Sequence, residues 1–453
     1  MSKFENNLSQ GNVVKQLLAF SYPFLLSNLI QSFYSVADMI IVGRFSGTIS
    51  MSGVNIGSQV TFLITNMVFG LSVGATVLIA QYLGAGKKTD LKETIGTLFT
   101  SLFVLAIVLT VLIIAIEDPI LQLIKTPAES YPEAKSYFFV TMLGTIFIFG
   151  YNALSAVMRG MGDSKNPLIF VTIACLVNVA FDLLLVAVFD MGAAGAAIAT
   201  VASQAISMIL CIIYLKRNDF VFDFKLSSFG FHKERLKLLL KIGIPTSIQN
   251  VATSFSFLFL TALVNSIGVI ASAAVGAVGK LNGFAILPAI AMSSSISAMS
   301  AQNIGAGEEK RATRTMKVGM LIAIIISSII FVLVRFFPEI MLSAFSDDEE
   351  MIAQGVTYIK SFSFDYLIVP FVFSLNGLFI GSGHTTFSLI NGVLSSLLIR
   401  IPASYIFGMA LGYGLLGVGL GAPIASFLSL ILGIWFYLSG RWKKAVIIHR
   451  QLE

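Results

Sequence analysis

Residues 81–90 read QYLGAGKKTD and residues 302–311 read QNIGAGEEKR, so one chain writes nearly the same phrase twice, 221 positions apart. The first copy looks like part of a phosphate-binding loop, but that loop needs G-x-x-x-x-G-K-[ST] between a strand and a helix. Here Lys88 stands where Ser or Thr is required, Glu308 replaces the lysine in the second copy, and no strand pattern precedes either. Glycine at a helix C-terminus supplies the left-handed turn that other residues resist. Each copy is therefore expected to close a helix and turn the chain into a polar loop.

The helices closed by these turns are expected to lie in a membrane. Of 453 residues, 56% are hydrophobic and 11% charged, against about 25% charged in an ordinary soluble domain. Residues 45–86, 94–116, 136–158, 191–215, 242–279, 318–334 and 401–440 carry no charge at all. Runs of ~18 or more apolar residues are long enough to cross a bilayer. They lack the alternation that a membrane barrel would need, so the spans read as helices. The chain reads as an all-α polytopic membrane protein with twelve transmembrane helices. Their expected positions are roughly 14–43, 52–82, 94–116, 134–159, 166–189, 193–215, 236–266, 271–303, 314–336, 352–381, 386–410 and 415–439. The polar start, MSKFENNLSQGNVVKQ, predicts no cleavable leader. Cys175 and Cys211 fall in apolar runs and read as small hydrophobes, not as a disulfide.

Further pairs extend the repeat. MRGMGDSKNPLI (158–169) answers FIGSGHTTFSLI (379–390) at an offset of 221. DMGAAGAAIATVAS (190–203) answers GYGLLGVGLGAPIAS (412–426) through Gly192/Gly414 at 222, the offset that also separates Pro23 from Pro245. The expected architecture is two pseudo-symmetric six-helix lobes, 1–216 and 236–453, joined by a cytoplasmic linker at 217–235. Six is even, so the repeat is parallel, as in secondary transporters built about an axis along the membrane normal. Of the 29 Lys and Arg, 22 fall in the termini and the loops of one side, four on the other (Arg44, Lys125, Lys135, Arg335), and three within spans. By the positive-inside rule both termini are cytoplasmic in a cell membrane. The net charge of +6 thus marks topology and does not point to nucleic acid.

Asp38, Asp182 and Asp365 are the acids expected inside spans, where each charge costs ~2.5–3.5 kcal/mol on insertion scales. Asp38 shares a stripe with Asn28, Gln31 and Ser35. Asn178 and Asp182 are i and i+4 on one helix face, and Thr200 lies on the next helix. Two carboxylates with amide and hydroxyl oxygens suit a shared proton or a bound Na⁺. Asp365, beside Tyr366, reads as a residue near the start of its span. Lys280, Lys360 and Arg400 balance the three acids, with Lys360 snorkelling from a helix end. Arg400 lies deep enough to need a partner, whether an ion pair, a carbonyl or a ligand phosphate.

The pattern N-x-x-x-D at 178–182, Thr200 eighteen residues on, an Asp late in the first helix and the RGMGDSKNP loop resemble the multidrug and toxic compound extrusion (MATE) family, prokaryotic DinF-like type, over essentially the whole chain. The resemblance implies antiport of lipophilic organic cations against H⁺ or Na⁺ by rocking of two lobes, with the coupling cation at Asp38, Asn178, Asp182 and Thr200. Another branch of that family uses a helix-seven Glu and a helix-ten Asp. Here helix seven has no carboxylate in its apolar span, which leaves Asp365 and Arg400 as a secondary C-lobe site. No cofactor and no enzymatic activity are expected, because no nucleophile–base or metal constellation lies in the spans. The partners expected are small solutes and the bilayer, for a monomer. A lipid-linked saccharide flippase of the same superfamily is the alternative; flippases usually add helices and a cationic cavity.

Overall fold

Residues 6–218, 220–444, 446 and 447 are described in a computed structural model, and no strand occurs among them. Lys3 and Arg450, counted above for orientation, lie outside the described residues. Ten helices are long and apolar enough to cross a membrane, and two bent pairs bring the total to twelve. In chain order they are α1 (Val13–Phe45), α2 (Gly47–Gly84), α3 (Lys88–Ala115), α4 (Tyr131–Leu143 with Thr145–Gly160), α5 (Lys165–Val188) and α6 (Gly192–Arg217). The second set is α7 (Lys233–Asn265), α8 (Val269–Gly305), α9 (Glu309–Phe336), α10 (Glu349–Phe362 with Asp365–Gly381), α11 (Thr385–Ala410) and α12 (Gly414–Leu438). This is a multi-pass membrane protein.

The repeated phrase does what its glycines predict. After α2, Gly86 takes φ +70°, and after α8, Gly307 takes φ +76°. The Lys87 N–H then returns to the Tyr82 carbonyl at 2.9 Å, and the Glu308 N–H to the Asn303 carbonyl at 2.8 Å. That is the six-to-one bond of a glycine-ended helix, made twice.

The chain forms two compact units, residues 1–7 with 23–243, and 8–22 with 244–453. The boundary falls within α1 beside Pro23 and within α7 close to Pro245. The start of each half's first helix thus belongs to the other half's unit. Within the first unit, Arg235 near the start of α7 binds Asp90 and reaches Glu93 at 3.1 Å and the Tyr82 hydroxyl at 2.9 Å. Within the second, Arg311 on α9 donates to the carbonyls of Leu8, Gln10 and Gly11 and to the Gln16 amide oxygen at 2.7 Å.

Glycines set the helix contacts inside each unit. A Cβ on Gly57 would lie 2.6 Å from the Tyr137 ring, and one on Gly421 would lie 2.9 Å from the Arg400 carbonyl. Small residues let backbones in a membrane approach closely, where no hydrophobic force drives helices together.

Two irregularities repeat as well. The α4 pair bends by 52° at Gly144 and the α10 pair by 48° before Asp365. A π-helical turn at Leu183–Val188 in α5 answers one at Ile406–Ala410 in α11, but α11 carries a second at Leu394–Arg400. A π turn takes up one residue more than an α turn. The register steps from 221 at Ile169/Ile390 to 222 at Gly192/Gly414. The extra turn absorbs the inserted residue and leaves Arg400 at its end.

Candidate functional site

In the first unit, Asp38 is 7% exposed, Asp182 fully buried and Asn178 1% exposed. The Asn178 amide donates to the Thr200 hydroxyl at 3.4 Å. The carboxyl groups of Asp38 and Asp182 face each other at hydrogen-bonding range. No protein group donates to Asp38 Oδ1, to either Asp182 oxygen or to the Asn178 carbonyl oxygen. The four residues singled out in the sequence therefore share one buried polar patch.

Local structure explains the convergence. Asp182 closes the regular part of α5, and the π turn begins at the next residue. The bend of α4 is made at Gly144, where Val201 of α6 lies against the backbone and leaves no room for a side chain. Thr200, one residue earlier, faces the same polar patch. Tyr137 packs in a buried apolar cluster with Ile41, Val42, Val54 and Val186.

Two tyrosines escaped the sequence reading. Tyr34 and Tyr137 both lie close to Thr200, Asp38 and Asp182. The signal was present: Tyr34 precedes Asp38 by four residues, and Tyr137 has a counterpart, Tyr358, 221 positions on. Conversely, Gln31 and Ser35 are exposed, so the stripe drawn through them does not converge on the patch. The Asn28 amide nitrogen is buried with no acceptor.

In the second unit, Asp365 is 7% exposed and begins the second segment of α10, sixteen residues after Glu349. That corrects the expectation of a position near the start of the span. Lys360 lies in the last turn of the first segment, at the helix end expected of it. The Arg400 guanidinium sits 5.2 Å from the centre of the Phe257 ring, and its Nε is buried with no acceptor. Asp365 and Tyr358 are within electrostatic reach of Arg400. Among the described residues no carboxylate approaches it within the 4.0 Å of an ion pair. No group of three or more His, Cys, Asp or Glu that could hold a metal ion occurs among the described residues.

The family model described as MatE matches residues 23–184 and again 245–406, two copies whose ends are 222 apart. The chain belongs to the MatE family. Among MatE relatives, the probable multidrug resistance protein YpnP of Bacillus subtilis is 30% identical over 96% of this chain and 97% of its own. The probable multidrug resistance protein NorM of Thermotoga maritima is 25% identical over 99% of this chain and 98% of its own. A solved structure described as the outward-facing conformation of a multidrug resistance MATE family transporter of the MOP superfamily shares the fold at TM-score 0.91. It is 21% identical and covers 98% of this chain and 99% of that one.

Proposed function

We propose that this MatE protein is a multidrug efflux transporter that exports lipophilic organic cations in antiport with H⁺ or Na⁺. The observation that carries the reading is the facing pair Asp38 and Asp182, buried within the spans with no protein donor on three of its four carboxyl oxygens. Two carboxylates cannot both stay ionised side by side in an apolar interior without a cation to balance them. A shared proton supplies that balance. So does a Na⁺ held by the carboxylates with the Asn178 carbonyl and Thr200 hydroxyl oxygens. The names of the relatives supply the multidrug cargo.

In this reading the lobes 1–216 and 236–453, linked by 217–235, rock between two states, and the coupling cation binds one more tightly than the other. Only such differential affinity shifts the equilibrium. The termini are cytoplasmic in the cell membrane, and the transporter works as a monomer without a cofactor. The membrane potential contributes ~2.3 kcal/mol per charge per 100 mV. Exchange of one H⁺ for one monovalent drug cation cancels that contribution and runs on the concentration gradients. The test is uptake of rhodamine 6G into proteoliposomes under an imposed H⁺ or Na⁺ gradient. One of the two gradients drives uptake if the reading holds. Failure of both removes it and makes a lipid-linked anion the next cargo to try.

A further inference from the structure

The second unit holds a polar site of opposite sign at the pseudo-equivalent place. At the 222 offset of the family match, Arg400 stands for Asn178, Ser404 for Asp182 and Leu260 for Asp38. At the 221 offset that holds through α4 and α10, Tyr358 stands for Tyr137 and Asp365 for Gly144. The fold positions that gather acids in one lobe present a guanidinium in the other.

That guanidinium is poorly served by the protein. It has no ion-pair partner within 4.0 Å among the described residues, and its Nε has no acceptor. The Asp365 carboxyl faces the Ser426 hydroxyl, and its own Oδ1 has no donor. The group under Arg400 is the ring of Phe257, which is 48% exposed. Arg400 ends the extra π turn of α11 and lies within electrostatic reach of Asp365 at the bend of α10. Single π turns inside α-helices occur frequently at functional sites, and broken helices mark solute sites in transporters. A planar, weakly hydrated guanidinium on an open aromatic face suits an oxyanion carried by an aromatic ring. The fork binds the oxygens in pairs, and the ring stacks on the phenylalanine.

We propose that Arg400, stacked on Phe257 beside Tyr358, forms a site in the second unit for the carboxylate or phosphate of an aromatic amphiphile. The cargo would then include zwitterionic and anionic aromatics as well as cations. Its role as a cargo site rests on the export reading, but its capacity to bind does not.

Binding is tested by fluorescence anisotropy of fluorescein, an aromatic carboxylate, on protein in phosphatidylcholine nanodiscs, with phosphatidylglycerol added in a second arm. Arg400→Gln is expected to weaken fluorescein binding at least about tenfold and Arg400→Lys by less, because one charge-assisted bond is worth ~1.5–3 kcal/mol. Asp365→Asn keeps or strengthens binding, since it removes a competing negative charge, and thereby excludes a merely structural pair. Unchanged elution on size exclusion shows that the variants fold. Retention of phosphatidylglycerol through Arg400, with no fluorescein bound, would overturn the aromatic ligand and reassign Arg400 to a lipid phosphate. Equal binding of both probes by wild type and Arg400→Gln overturns the proposal, as does Asp365→Asn behaving like Arg400→Gln. Retained fluorescein binding without gradient-driven rhodamine 6G uptake overturns the antiport reading alone.

Discussion

The two halves are built on one pattern, yet their buried polar sites are opposites. In the first, two acids meet with Asn178, Thr200 and two tyrosines around them. In the second, a serine and a leucine occupy the acidic positions, and a π turn ends at Arg400, with Asp365 within electrostatic reach and outside ion-pair distance. The difference teaches that duplication conserves the devices that make backbone irregular, while the side chains set there decide the charge that the site admits. A site of two acids needs a cation from outside the protein. A site holding a guanidinium and a distant acid carries its own, so in the proposed antiporter coupling belongs to the first half.

The largest effect should come from breaking the acidic pair. Asp182→Asn should reduce gradient-driven rhodamine 6G uptake to the level of empty liposomes, with the protein still folded. The double variant Asp38→Asn/Asp182→Asn should be no worse, because the two groups act as a unit and are not additive. Clear residual coupling in either single variant would show that the pair is not the coupling site.

Next come the packing differences around the second site. The counterpart of Gly421 in the first half is Ala199, fully buried. A Cβ on Gly421 would meet Ser404 and the Arg400 carbonyl, so α12 approaches α11 too closely there for a side chain. Gly421→Ala should cost about 1–3 kcal/mol by overpacking. Gly279→Ala, with nothing within 4 Å of its Cβ, should be neutral or slightly stabilising in the same thermal unfolding series in detergent.

The two arginines near the helix starts give a smaller contrast. Arg235 is 8% exposed and engages two carboxylates, whereas Arg311 bonds carbonyl and amide oxygens. Arg235→Ala leaves Asp90 and Glu93 without their cation and should destabilise by about 2 kcal/mol. Arg311→Ala should cost about 1 kcal/mol. Equal losses would mean that the charges of Asp90 and Glu93 contribute nothing.

The smallest effect is expected at Asp118, outside the spans. Hydrogen bonds from Lys135 and Tyr131 hold its carboxyl below the usual carboxylate range. A lowered folded value gives stability that is present above the unfolded value and lost as pH falls through the folded one. Asp118→Asn should therefore lower the Tm slightly at pH 7, and the gap from wild type should close as the pH is taken below the carboxylate range. Transport should not change.

Much of this was legible in the sequence because a membrane span has so few ways to be written. Apolar runs placed all twelve helices with every end within six residues, and the repeated QxxGAG phrase located the ends of α2 and α8. Asp38, Asn178 and Asp182 stood out by charge and amide against an apolar chain, Thr200 came with the family resemblance, and the structure gathers the four in one patch. Tyr34 and Tyr137 were missed because an aromatic in a span resembles ordinary packing until its hydroxyl is placed. The offsets of 221 and 222 were visible, but only the structure ties the step between them to a π turn beside Arg400. The depth of Asp365 was misjudged because the bend that precedes it leaves no proline or glycine at that point.

The measurement that bears most directly on the central claim is cation release on substrate binding. Tetraphenylphosphonium is added to purified protein in weakly buffered detergent solution, and released protons or bound ²²Na⁺ are counted. The account predicts release of H⁺ or Na⁺ by wild type and by Arg400→Gln, and none by Asp38→Asn or Asp182→Asn. Equal release by wild type and Asp38→Asn, or its loss in Arg400→Gln alone, would contradict the assignment of coupling to the acidic pair.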